Sequence, residues 1–143
     1  MKVSQITVFL ENKQGRLAEV TEVLALAGAN IRAASIADTI DYGLLRLIVS
    51  DPVKARHALS EHGFTASETE VLAVQVSDQP GGLARIIRIL SDGGMNVEYL
   101  YAFIGKSGEN AIVIMRSEDT DSARRVLLDN NISLLSGEQV HTL

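Results

Sequence analysis

One register runs through this chain twice. Asn12-Lys13-Gln14-Gly15-Arg16-Leu17-Ala18 returns as Asp78-Gln79-Pro80-Gly81-Gly82-Leu83-Ala84, at an offset of 66 (81 minus 15). The same offset pairs Leu24 with Leu90, Gly28 with Gly94 and Asn30 with Asn96, and conservatively Val20 with Ile86, Val23 with Ile89 and Ile31 with Val97. A single spacing that serves a turn, a helix and the next strand marks an internal duplication, so the chain must fold as two copies of one unit. It sets Ala111 to Met115 opposite Leu45 to Val49. Further on the offset becomes 68, pairing Arg56 with Arg124 and Leu59 with Leu127, so two extra residues are expected just before the last helix of the second copy.

Periodicity supplies the elements of one copy. Val3 to Leu10 alternates through Ile6, Val8 and Leu10, the pattern of a strand with one buried face. From Gly15 onward Leu17, Val20, Leu24 and Ala27 recur at helical spacing, and Gly28 is placed to stop the helix. Asn30 to Ile40 reads as a second strand, Asp41-Tyr42-Gly43 as a turn, and Leu44 to Val49 as a third strand apolar on both faces. Asp51-Pro52 is an N-cap followed by proline at the first helical position, opening a helix over Val53 to His62. After Gly63, a polar strand at Thr65 to Thr69 runs without a linker into Val71 to Val76, where the second copy begins; Ile132 to Leu135 closes that copy, with Gly137 interrupting before Gln139-Val140.

The order is βαββαβ, twice. Right-handed crossovers fold such a unit into the ferredoxin-like α+β arrangement, an antiparallel four-stranded sheet with both helices on one face. The expected domains are residues 1–70 and 71–143. Each holds about seventy residues, a size at which a lone core is marginal. Exposed sheet edges then invite pairing, and a homodimer, or at least a close pairing of the halves, is expected.

Several function classes are excluded early. The formal net charge is -5 with no cluster of Lys and Arg, which argues against a nucleic-acid surface. The sheets' central strands, Leu44 to Val49 and Ala111 to Met115, carry no aromatic residue on which RNA bases would stack. The chain has no cysteine, so disulfides, cysteine nucleophiles and thiolate metal sites are out. Met1 to Gln5 turns polar too soon for a secretory signal and no aliphatic run approaches a membrane span, so no membrane partner and a cytoplasmic location are expected. His57 and His62 lack metal-ligand spacing and should face solvent. No Ser/His/Asp arrangement is legible, so a non-enzyme without cofactor or metal is expected. An acylphosphatase-like pairing of Arg16 with Asn30 is weakened because Gly82 replaces Arg16 in the second copy.

Both turns place glycine where a strand becomes a helix, and a helix start points free N–H groups at whatever lies before it. Asn12 to Leu17 and Asp78 to Leu83 resemble the Asp/Asn-x-Pro-Gly-x-Leu turn of ACT domains, small-molecule-sensing modules of amino-acid metabolism. Gly28 to Ile31 and Gly94 to Val97 resemble that family's helix-to-strand signature, and the resemblance spans essentially the whole chain. The first copy departs from the pattern at Gln14, where the second has Pro80. The resemblance implies an amino acid bound at an interface between units, with no chemistry done on it, and regulation of a partner enzyme of amino-acid metabolism.

Gly15 and Gly81 would let the backbone approach the ligand, and the N–H groups of Arg16 and Leu17, or of Gly82 and Leu83, would hold its α-carboxylate. Asn12 and Asp78 are the candidates to accept from its ammonium, and they fit equally well as capping or turn residues. Ser35 or Tyr101 of a neighbouring strand would meet its side chain. Gln14, Pro80, Asn30, Ile31, Asn96 and Val97 complete the candidate contacts, although Asn30 and Asn96 suit a structural turn better than a ligand. The alternative is an assembly module, or regulatory subunit of a biosynthetic enzyme, whose turns bind nothing.

Overall fold

The structure, a computed structural model, describes residues 2–38, 41–103 and 110–143. Its elements are β1 (Val3–Glu11), α1 (Arg16–Leu26), β2 (Ile31–Asp38), β3 (Tyr42–Val49), α2 (Pro52–Glu61), β4 (Thr65–Ser77), α3 (Gly82–Asp92), β5 (Val97–Ala102), β6 (Asn110–Ser117), α4 (Thr120–Asp129), β7 (Leu134–Leu135) and α5 (Gly137–His141). No helix among the described residues is long and apolar enough to cross a membrane. The chain divides into two compact units, Ser4–Thr69 with His141–Leu143, and Glu70–Val140 with Met1–Val3. Each has the ferredoxin-like order read from the sequence, and β4 contributes its first residues to one unit and its last to the other.

In the Ser4–Thr69 unit the strands lie in the order β2-β3-β1-β4. Ile6, Val8 and Leu10 of β1 and Leu45, Leu47 and Val49 of β3 face Val20 and Leu24 of α1 and Ala55 and Leu59 of α2, with Phe64 closing the cluster. The alternation seen in the sequence is thus the helix-facing side of the sheet. Asp51 caps α2 as expected, accepting from the Lys54 N–H at 3.1 Å. The C-terminal residues complete this unit. His141 is buried; its Nδ1 donates to the Val49 carbonyl at 2.6 Å and its Nε2 accepts from the Ser4 N–H at 3.3 Å, which fixes the neutral ring in one tautomer.

The Glu70–Val140 unit repeats the plan, with β4 between β6 and β7 and β5 beyond β6. Leu72, Val74, Val113 and Met115 pack under Ile86 and Leu90 of α3 and Ala123 and Leu127 of α4. Asp119 caps α4, accepting from the Ser122 hydroxyl at 2.7 Å and its N–H at 3.0 Å, and these bonds hold its carboxyl below the ordinary value.

Three expectations are corrected. The two extra residues do not lie just before the last helix. Ile6 sits opposite Leu47 and Leu72 opposite Met115, so β4 keeps the offset of 66 (72 minus 6) while β6 already has 68 (115 minus 47). The insertion therefore precedes β6, and Met115 corresponds to Leu47, not to Val49. A shift of two leaves every side chain of a strand on its own face, so hydrophobic alternation cannot detect it.

The closing strand expected over Ile132 to Leu135 shrinks to Leu134–Leu135, and Gly137 opens a helix where it was expected only to interrupt. Ser136 and Gln139 form a reciprocal cap, the Ser136 N–H donating to Oε1 at 2.8 Å and the Gln139 N–H to Oγ at 3.2 Å. That Ser-x-x-Gln spacing was a readable start signal for α5. Finally, Tyr42 and Gly43, expected in a turn, are already paired in β3 with Glu11 and Leu10. Residues 39 and 40, expected to end the second strand, lie outside the described residues.

Candidate functional site

The connection from β4 to α3 is a tight turn. The Gln79 N–H donates to the Ser77 carbonyl at 2.9 Å and the Gly82 N–H to the Gln79 carbonyl at 3.0 Å. Gly81 then stands at the N-cap with φ 87°, a left-handed conformation that a residue with a Cβ adopts only under strain. Gly82 is glycine for a different reason. A Cβ there would lie 2.0 Å from the Ser77 carbonyl oxygen, so the strand end closes directly onto the helix start.

The helix start keeps its donors. No side chain caps it, and the N–H groups of Leu83 and Ala84 find no backbone partner among the described residues. Of the two N–H groups expected to hold a carboxylate here, that of Gly82 is engaged within the turn and that of Leu83 is free. A cavity of about 400 Å³ opens beside the turn. Its lining is mostly polar and uncharged, with Gln75, Ser77, Gln79, Asn110 and Ser133, while Ile86 and Ile132 form the apolar part. Arg85, one turn into α3, is its single charged lining residue and makes no ion pair among the described residues.

The candidate residues are distributed unevenly about this cavity. Pro80, Gly81 and Gly82 line it; Asp78, Leu83, Asn96, Val97 and Tyr101 do not. Asp78 and Asn96 are exposed, Val97 packs against the helix-side core, and Tyr101 is buried in β5 opposite Ile114. Gln75, Asn110 and Ser133 were not singled out in the sequence, because they come from three strands or loops that only pairing brings together.

The first turn has the same backbone and a different interior. Gly15 is the left-handed N-cap with φ 90°, the Lys13 N–H donates to the Glu11 carbonyl at 2.8 Å and the Arg16 N–H to the Lys13 carbonyl at 3.3 Å. The Asn12 N–H donates to the Asp41 carbonyl at 3.0 Å, and Gln14 is exposed. Leu17 is exposed on α1, Ile31 packs against the core, Ser35 lies opposite Arg46, and Asn30 exchanges two bonds of 2.9 Å with Ser50, a structural closure of the helix-to-strand turn. Here the Arg16 guanidinium lies 4.8 Å from the centroid of the Phe64 ring and pairs with Glu19 at 2.9 Å and Glu11 at 3.7 Å. Hydrogen bonding and charge from Lys13, at 3.0 Å, hold the Glu11 carboxyl below its ordinary value, and Arg16 adds to this. Whatever stability this carboxylate lends is present above the ordinary glutamate pKa and is lost as pH falls through the depressed value.

The profile of the ACT domain pair family matches residues 1–143. The chain belongs to the ACT domain pair family. Among solved structures, a protein from Bacteroides thetaiotaomicron superposes with a TM-score of 0.93 at 39% identity, covering 100% of this chain and 98% of that one. The regulatory subunit of aspartate kinase from Thermus thermophilus matches with a TM-score of 0.61 at 20% identity, over 90% and 93%. Aspartate kinase from Clostridium acetobutylicum matches with 0.55 at 15%, over 88% of this chain and 32% of its own. At such identities the last two share the fold with this ACT pair. No curated protein matches it by sequence.

A valine at position 81 tests the turn. A Cβ there meets nothing within 4 Å, so the ACT pair should still fold, while the positive φ costs a β-branched residue about 1–3 kcal/mol and moves the helix start. The expected outcome for Gly81→Val is a retained fold by circular dichroism and lost ligand binding at this turn; undiminished affinity would place the site elsewhere.

Proposed function

We propose that this ACT pair is an amino-acid sensor that binds a small amino acid at the second turn and, without chemistry on it, regulates a partner of amino-acid metabolism. The supporting observation is the polar cavity beside the start of α3, lined by Gly81, Gly82 and Arg85, which makes no ion pair among the described residues. Its volume suits a small metabolite. The ligand carboxylate sits against Arg85 beside the start of α3; its ammonium finds oxygen acceptors among Ser77, Gln79, Asn110 and Ser133. The helix end supplies at most about 2 kcal/mol and a charge-assisted hydrogen bond about 1.5–3 kcal/mol. Micromolar binding needs about 8 kcal/mol, so several of these contacts must act together. The reading includes a homodimer, which exposed sheet edges invite, working in the cytoplasm, with a second copy completing the site.

A thermal-shift screen against the twenty standard amino acids tests this reading. A ligand at a hundred times its Kd stabilises by about 2.7 kcal/mol, a shift of several degrees. One or two responders are expected; a flat response favours the assembly role. For a responder, Arg85→Glu should weaken calorimetric binding tenfold or more, because a cation facing the carboxylate becomes an anion, and unchanged affinity would remove Arg85 from the site.

A further inference from the structure

The two turns are copies, so their interiors can be compared position by position. With an offset of 66 through β4 and α3, Gln75, Ser77, Gly82 and Arg85 correspond to Phe9, Glu11, Arg16 and Glu19; with 68 from β6 onward, Asn110 and Ile132 correspond to Tyr42 and Phe64. The second offset is supported independently, since Asn131 and Gly63 both take positive φ, 59° and 82°. These six lining positions of the cavity at the second turn are thus positions whose side chains engage one another at the first. Phe9 stacks on Tyr42 with centroids 4.6 Å apart, and Arg16 lies over Phe64 between Glu11 and Glu19.

We propose that Arg16 is a built-in occupant of the first turn, so that each chain offers one ligand site and the first turn is complementary to a cation. The guanidinium lies over the Phe64 ring and meets two carboxylates, a combination that suits arginine and repels an incoming carboxylate. At the second turn the same places hold Ser77 and Arg85, which reverses the preference. Gly82 contributes no side chain, and the strand end closes over its Cα so that none can be accommodated there. The Arg16 Nε is buried with no hydrogen-bond partner among the described residues, so ring packing and the two carboxylates hold the group in place. This proposal relies on the sensor reading only for the ligand at the second turn.

Methylguanidinium, a replacement for the missing head group, probes the first turn without any amino acid. Arg16→Ala should melt below wild type, and millimolar methylguanidinium should restore most of the lost Tm saturably, with no rise in wild type or in the Arg16→Ala, Glu19→Gln double variant. Absence of a variant-specific rise overturns the proposal. If Arg16→Ala does not fold, the wild-type chain answers by NMR. A fixed guanidinium gives an Arg16 Nε–Hε resonance that is ring-shifted by Phe64 and unmoved by every amino acid in the screen; a rapidly exchanging resonance, or one displaced by a ligand, overturns it. Calorimetry with a responding amino acid should give one site per chain. Two sites would contradict the built-in occupant, whereas no response from any amino acid would contradict the sensor reading and leave the methylguanidinium result standing.

Discussion

Gly82→Ala is expected to lower the urea midpoint and to abolish ligand binding at the second turn together. The added methyl would lie 2.0 Å from the Ser77 carbonyl oxygen and 3.0 Å from its carbon. Both atoms are backbone, so no rotamer relieves the contact, and β4 and α3 must separate by about 1 Å at the point where the cavity is built. Overpacking of this kind costs about 1–3 kcal/mol. Gly81→Ala is the control, since its Cβ has open space and only the positive φ opposes it. Wild-type stability and affinity in Gly82→Ala would mean that the strand end does not close on the helix start as described.

The second large effect is in the core. Leu59 of α2 and Leu127 of α4 hold the same place in the two copies (127 minus 59 is 68) and both are fully buried. Truncating either to alanine removes three heavy atoms from a packed interior, at about 2–5 kcal/mol. In units of about seventy residues that is a large part of the whole stability. Chemical denaturation of Leu59→Ala and Leu127→Ala should show comparable losses in this range. A loss under about 1 kcal/mol at either site would mean that its surroundings collapse to fill the void.

Much of the fold was legible because it is repeated and periodic. Alternation at Ile6, Val8 and Leu10 and helical spacing at Leu17, Val20 and Leu24 are local signals, and each appears a second time to confirm the first. The cap at Asp51 and the glycines at the two helix starts are local as well. What escaped was the place of the two-residue displacement, because such a shift preserves alternation. A two-residue shift at β6 returns every side chain to its face, and only the pairing of Leu72 with Met115 reveals it. The short α5 escaped for another reason: its Ser136 and Gln139 cap is a valid signal, but it followed an apolar run already read as the end of a strand.

The candidate site divides the same way. The sequence by itself determined the duplication, the βαββαβ order and the two glycine turns that leave helix donors free, since these follow from spacing, propensity and backbone conformation within a few residues. Only the tertiary structure decided what lies in front of each turn. Arg16 and Phe64 are far apart in the chain, as are Gln75 and Asn110, and they come together through strand register and the return of the chain after the following helix. Because the first turn is filled by its own side chains and the second is open, two stretches that look like copies differ in the property that matters for binding. The physical reason is that a cavity is the space left by residues distant in sequence, and no local pattern specifies it.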